Sequence, residues 1–221
     1  MNYLEIRKKY GFYRKVVIVL AVILSLFVAW MVKDRTNQTL CVLFISAFLF
    51  LFIALIRRGY LRSSTKLLHM DLDLLSWLQY IELKKSAKRA IIKMDATLTS
   101  VVYSYMIGDF DAAIKEASEA MTDQKLKPKY RDLFESYLVR STVLANPNLT
   151  KDRLNLMLNK MSISDSSLAE KTKSVSIALY DLTIAHQSND YFEDLENEFK
   201  YQQLEISYYQ ALNSKLKGNM T

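Results

Sequence analysis

The residues able to do chemistry are few and poorly grouped. His69 and His186 are the only histidines and Cys41 the only cysteine among 221 residues. A transition-metal site draws on several His or Cys side chains at short spacing. Neither histidine has such a neighbour, so both read as hydrogen-bonded packing or interface residues, with His186 on the inner stripe of a helix. Cys41 lies inside an apolar run, which leaves no intramolecular disulfide and no multi-thiolate site. No glycine-rich phosphate loop, G-x-S-x-G elbow or H-E-x-x-H helix occurs. Glu193, Asp194, Glu196 and Glu198 cluster where a helix is expected to start, and the macrodipole favours negative charge there. They read as a solvated face that a basic partner could use. The chemistry therefore points away from an enzyme, and to no cofactor and no metal.

What organises the chain is apolar. Val16–Val32 and Leu40–Ile56 hold Ser25 and Ser46 as their only conventionally polar members, with the six polar residues 33–38 between them. Each run supplies about 25 Å of helix at 1.5 Å per residue, and a few flanking residues bring it close to the roughly 20 that a bilayer core requires. The expectation is a transmembrane helical hairpin over 16–56, with spans 16–32 and 40–56 and an extracytoplasmic loop 33–38. Ala21, Ser25 and Ala29 form a stripe of small residues at four-residue spacing, which permits close approach either to the second span or to another protein. Neither span carries an ionisable residue, so the hairpin alone is poor material for a conduction path.

Charge orients it. Arg7, Lys8, Lys9, Arg14 and Lys15 precede the first span, and Arg57, Arg58, Arg62 and Lys66 follow the second. The loop between has only Lys33 and Arg35, beside Asp34. The positive-inside rule then puts both termini in the cytoplasm. Tyr10, Phe12, Tyr13, Trp30 and Tyr60 fall near the expected interfaces, where amphipathic rings anchor a span. Residues 1–93 carry 16 Lys and Arg against 5 Asp and Glu, a net of +11, while 94–221 carry 14 against 18, a net of −4. The positive charge thus belongs to the membrane-proximal part and suits anionic headgroups. The acidic remainder argues against nucleic acid as a partner.

Beyond the hairpin the chain reads as all-α. Residues 1–15 form a basic cytoplasmic segment. Residues 57–93 form a basic, amphipathic juxtamembrane segment that lies either on lipid or against protein, because Leu67 to Leu83 is very apolar yet broken by Asp71, Asp73 and Glu82. From Met94 the apolar positions take helical spacing, with Met94, Leu98, Val101, Val102 and Tyr105 on one stripe and Phe110, Ala113, Ile114, Ala117 and Met121 on the next. Further stripes run from Tyr130 to Leu144, Leu154 to Met161, Leu168 to Leu182 and Tyr191 to Tyr209, separated by Asn146-Pro147-Asn148 and Ser188-Asn189-Asp190. That makes about three helix pairs over 94–216, with 217–221 a tail.

The run Tyr105-Met106-Ile107-Gly108-Asp109-Phe110, with Ala112, Ala113 and Ile114 after it, resembles the turn and second helix of a tetratricopeptide repeat. Glycine permits the tight turn there, the aromatic packs under it, and alanine lets helices approach. Asn189-Asp190-Tyr191 looks like a degenerate copy, its asparagine able to take the left-handed conformation. The usual first-helix tryptophan and leucine-glycine are missing, since Thr97 and Ser100-Val101 stand there. The resemblance implies a helical-repeat, protein-binding domain. Tyr103, Tyr105, Tyr137, Tyr180, Tyr201, Tyr208 and Tyr209 exceed what thin helix pairs need for a core, and belong either at an interface or between the pairs.

Together these features suggest a multi-pass protein of the cell membrane, suited in composition to a bacterial one. It would act as an adaptor or scaffold that binds an unidentified protein through a cytoplasmic tetratricopeptide-like domain, with homo-oligomerisation left open. The alternative is an accessory subunit of a transporter, export or immunity system, whose spans are themselves the binding surface.

Overall fold

Asn2 begins the first helix with a reciprocal cap. Its side chain accepts from Glu5 N–H and the Glu5 carboxylate accepts from Asn2 N–H, so two otherwise orphaned donors are satisfied. Helix α1 then runs from Tyr3 to Met31 and α2 from Arg35 to Thr65. The computed structural model describes residues 2–218, and every regular element among them is helical. Only residues 32–34 lie outside the two helices, because Asp34 caps α2 by accepting from Thr36 N–H and recruits the remaining loop residues into its first turn. Both helices are long and apolar enough to cross a membrane.

The two helices meet along a seam at three- and four-residue spacing. From α1 come Tyr3, Ile6, Tyr10, Val17, Ala21 and Ser25, and from α2 Cys41, Ile45, Leu49, Ile53, Ile56 and Tyr60. Ala21 is buried, Ser25 half-buried and Ala29 exposed, so the small-residue stripe turns out of the seam toward the loop end. At 29 and 31 residues the helices are about 43 and 46 Å long, against a hydrocarbon core of roughly 30 Å. At the ends away from their connection the tyrosines gather. Tyr10 packs edge-on to Tyr60 and its hydroxyl bonds Ser63 Oγ at 3.0 Å, while the Tyr3 and Tyr60 hydroxyls bond each other. A Cβ on Gly59 would stand 2.9 Å from the Tyr10 ring, so glycine is what lets that ring in. Tyr10 and Tyr60 therefore face one another instead of acting as outward anchors, whereas Phe12, Tyr13 and Trp30 are exposed.

After Thr65 one π-helical turn, Lys66–Met70, closes through Asp71 N–H to the Lys66 carbonyl, and Leu72 takes the left-handed conformation at φ 52°. Helix α3 follows, Leu74–Lys85, and the chain divides into two compact units between its Ser76 and Trp77.

The second unit continues with α4 (Ala90–Met106), α5 (Phe110–Met121), α6 (Pro128–Ala145), α7 (Lys151–Asn159), α8 (Ser166–Thr183), a 3-10 turn (Asp190–Phe192) and α9 (Lys200–Leu216). Helix α6 is central, with α4 and α5 on one side and α8 on the other. Two apolar clusters result. Val101, Tyr105, Ala113, Ala117 and Phe134 fill the first, and Val139, Val143, Leu154, Leu179, Leu182 and Tyr209 lie in the second. Trp77 and Ile81 of α3 are buried in this unit, with the Trp77 ring edge-on to Tyr201 at 5.8 Å, while Leu74, Leu75 and Leu78 remain exposed. Helix α3 thus has some of its apolar residues in a protein core and others exposed.

Three expectations about the last helix pair are corrected. Helix α8 ends at Thr183, so His186 is not on its inner stripe; it is exposed, past the helix end, at φ 52°. It is His186, and not Asn189, that takes the left-handed conformation, since Asn189 is extended at φ −147°. Helix α9 begins only at Lys200, so the acidic residues 193–198 do not open a helix. Asn213 explains this. Buried in α9, its side chain accepts from Asn189 N–H and donates to Asp190 and Glu193, pulling the connecting strap onto α9 before the helix can start.

Candidate protein-binding groove

The site grows from a turn. Gly108, at φ 81°, reverses the chain between α4 and α5, and Asp109 caps α5 by accepting from Ala112 N–H at 3.1 Å. Phe110 packs edge-on to Tyr105 at 5.8 Å, and Ala113, fully buried, lets α5 come close to its neighbours. The second set named from sequence, Asn189, Asp190 and Tyr191, lies on the strap between α8 and α9. There Asn189 accepts from Tyr191 N–H and Asp190 pairs with Lys217, so it serves as a tie and not as a second copy of the turn.

Beneath the Gly108 corner is a buried ionic cluster made by three helices. Arg140 of α6 lies against two rings that meet edge-on 5.5 Å apart, with its guanidinium carbon 4.8 Å from the centroid of Tyr105 and 5.3 Å from that of Tyr137. Nη2 donates to the Tyr105 hydroxyl at 3.1 Å and pairs with Glu205 of α9, while that hydroxyl donates to Glu205 Oε1 at 2.6 Å. The Arg140 and Glu205 side chains are only 15% and 14% exposed, so the pair is screened little by water. Burial disfavours the charged guanidinium, but Glu205 and the two phenols outweigh it and hold Arg140 above its ordinary value. Burial raises the Tyr105, Tyr137 and Tyr209 phenols. None of these shifts moves its group toward neutral pH. The shifted groups of the cluster do not exchange protons under ordinary conditions.

Its hydrogen bonding is incomplete. Both bonds to Glu205 end on Oε1, and the buried Arg140 Nε makes none. Above the cluster opens a groove of about 260 Å3 between the α4–α5 corner and α9. Tyr105 and Glu205 form its floor, Met106, Phe110 and Leu144 its walls, and Leu204 and Tyr208, 56% and 62% exposed, its rim. A larger groove of about 430 Å3 lies between α6 and α7, apolar along Leu138, Met157 and Met161, with Arg153 and Lys160 beside it.

Sequence reasoning missed Arg140 and Glu205. The available signal was Tyr137 three residues before Arg140 on one helix face, and a lone acid among Tyr201, Leu204, Ile206 and Tyr209. It left the tyrosines either at an interface or between the helix pairs. Tyr105 and Tyr209 are buried, Tyr103, Tyr137, Tyr180 and Tyr201 half-buried, and of that set Tyr208 alone is exposed. They pack between helices.

The basic residues Arg7, Lys8, Lys9, Arg14, Lys15, Arg57, Arg58 and Arg62 are all exposed, at the ends of α1 and α2 away from their connection. Among the described residues no group of three or more His, Cys, Asp or Glu is placed to hold a metal ion. No protein-family model, curated protein or solved structure matches this chain.

Proposed function

We propose that the protein is a membrane-anchored adaptor. Helices α1 and α2 cross the cell membrane as a hairpin, with both chain ends in the cytoplasm. The unit from Trp77 onward, a tetratricopeptide-like array of the pairs α4–α5, α6–α7 and α8–α9, holds a protein partner. The observation that carries the reading is the groove beside Gly108, a concavity of aliphatic and aromatic side chains with a charged floor, whose shifted groups are poised for recognition and not for proton transfer. Three further facts support it. The helices α4, α6 and α8 adjoin in series. The Gly108 turn has the left-handed backbone that a repeat corner needs. The exposed apolar faces of α1 and α2, with residues such as Phe44 and Phe50 outward, need a nonaqueous surrounding.

One observation favours a second reading, an accessory subunit recognised through its spans. A wholly apolar groove of about 330 Å3 lies between α1 and α2, lined by residues such as Leu20, Leu24, Phe48 and Phe52. Crosslinking and affinity purification of the full-length protein, beside a form whose residues 1–65 are replaced by an unrelated two-span anchor, separates the two. An adaptor recovers the same partner from both forms. Loss of the partner with the exchanged hairpin replaces the adaptor by the accessory subunit.

A further inference from the structure

We infer that the groove between the α4–α5 corner and α9 takes a cationic side chain, an arginine or lysine set among apolar residues, from the partner protein. The inference rests on the adaptor reading and adds the chemistry of what is recognised.

The protein's own Arg140 shows how this cluster treats a cation. A guanidinium is held against the faces of two tyrosines and paired with one oxygen of Glu205. The groove is lined by groups of the same kinds, aromatic rings and the Glu205 carboxylate, and it opens to solvent beside the exposed Leu204 and Tyr208. Phe110, Tyr208 and Tyr209 supply rings within one cavity, and a cation within about 6 Å of such faces is attracted by their quadrupoles. Glu205 supplies the carboxylate, because among the described residues both its hydrogen-bond partners, Tyr105 and Arg140, end on Oε1. Among the described residues no Lys or Arg lines the groove. The exposed Asp109 and Asp111 stand beside Phe110 at its edge. The amino end of α5 favours an anion at the same edge, but two full negative charges exceed that partial positive one.

An anionic ligand fits less well. The cation that would attract it, Arg140, lies against the rings of Tyr105 and Tyr137 and does not line the groove, whereas Glu205 does. The apolar walls, Met106, Leu144 and Leu204, suit the methylene stem of Lys or Arg or the apolar residues next to it.

The test uses the full-length protein in lipid nanodiscs with 13C-methyl methionine, so that the methyl group of Met106 reports the groove. Three probes are titrated, the acetylated tripeptide amides Leu-Arg-Leu, Leu-Gln-Leu and Leu-Glu-Leu. The expected result is a saturable shift of the Met106 resonance with the arginine peptide and at least about tenfold weaker binding of the other two. Tyr208→Ala removes an exposed rim ring, so it weakens the arginine peptide several-fold with an unchanged thermal midpoint. Glu205→Gln leaves Tyr105 a partner and also weakens it. An unmoved Met106, or equal binding of the three peptides, overturns the inference. The adaptor reading is judged separately by whether Tyr208→Ala lowers recovery of the crosslinked partner. If a partner is recovered undiminished, the adaptor stands and the groove falls as its site; if the arginine peptide binds while the intact protein recovers no partner, the cation site stands and the adaptor falls.

Discussion

Arg140 and Glu205 show how one residue pair can decide the character of a domain. Two ions taken this far out of water cost several kcal/mol each, and their attraction offsets that only while both are present. The expected outcome is asymmetric. Arg140→Met leaves Glu205 unpaired on the groove floor and costs about 3–5 kcal/mol, as does Glu205→Leu with Arg140 stranded. The double substitution costs less than either single one, because the buried charge is gone altogether. Chemical denaturation of the four proteins checks this through the double-mutant cycle, and additive losses would show that the two charges do not interact.

Among the elements, α6 does most to hold the second unit together, and it does so partly with carboxylates near its start. Asp132 Oδ2 accepts from the Ser164 hydroxyl at 2.6 Å and Asp165 N–H at 3.2 Å, and Oδ1 accepts from Ser164 N–H at 3.1 Å. Glu135 accepts from Ser162 N–H at 2.8 Å. Together they clamp the loop that leads into α8. Burial of Asp132 raises its pKa, but the three hydrogen bonds from Ser164 and Asp165 outweigh it, and the carboxyl is held below its usual range. A depressed folded-state value means stability that is complete above the unfolded pKa near 3.9 and lost as the pH falls through the lower folded one. Asp132→Asn turns an amide toward two donors, so it is expected to destabilise by about 1–3 kcal/mol at neutral pH. It should also remove that acid-side loss, so the stability curves of the two proteins converge below about pH 4. Parallel curves from pH 7 to pH 3 would place the effect elsewhere.

For the whole molecule the prediction concerns sidedness. In a protein whose only cysteine, Cys41, is replaced by serine, new cysteines at Lys33 and Lys88 probe the two faces. The hairpin orientation requires Lys33→Cys to react with a membrane-impermeant maleimide in intact cells, and Lys88→Cys to react only after permeabilisation. The opposite pattern inverts the topology, and reaction of both in intact cells rules out a hairpin with cytoplasmic ends.

The helical character of the chain, the existence of two long apolar helices and the Gly108 corner were legible in the sequence, because each depends on local composition. An apolar run of seventeen residues, a scarcity of Gly and Pro, or a glycine between two periodic stripes declares itself within a few turns of helix. The pairing of Tyr10 with Tyr60, the meeting of Arg140 with Glu205 and the start of α9 at Lys200 were decided only by the tertiary structure. Their partners stand 50, 65 and, for Asn213 with Asn189, 24 residues apart in the chain. Asn213, an ordinary polar residue in a helical window, acquires its meaning from the backbone N–H that the fold brings to it. The same holds for Arg140, which by composition belongs on a surface and is internal because two tyrosines and a distant glutamate enclose it.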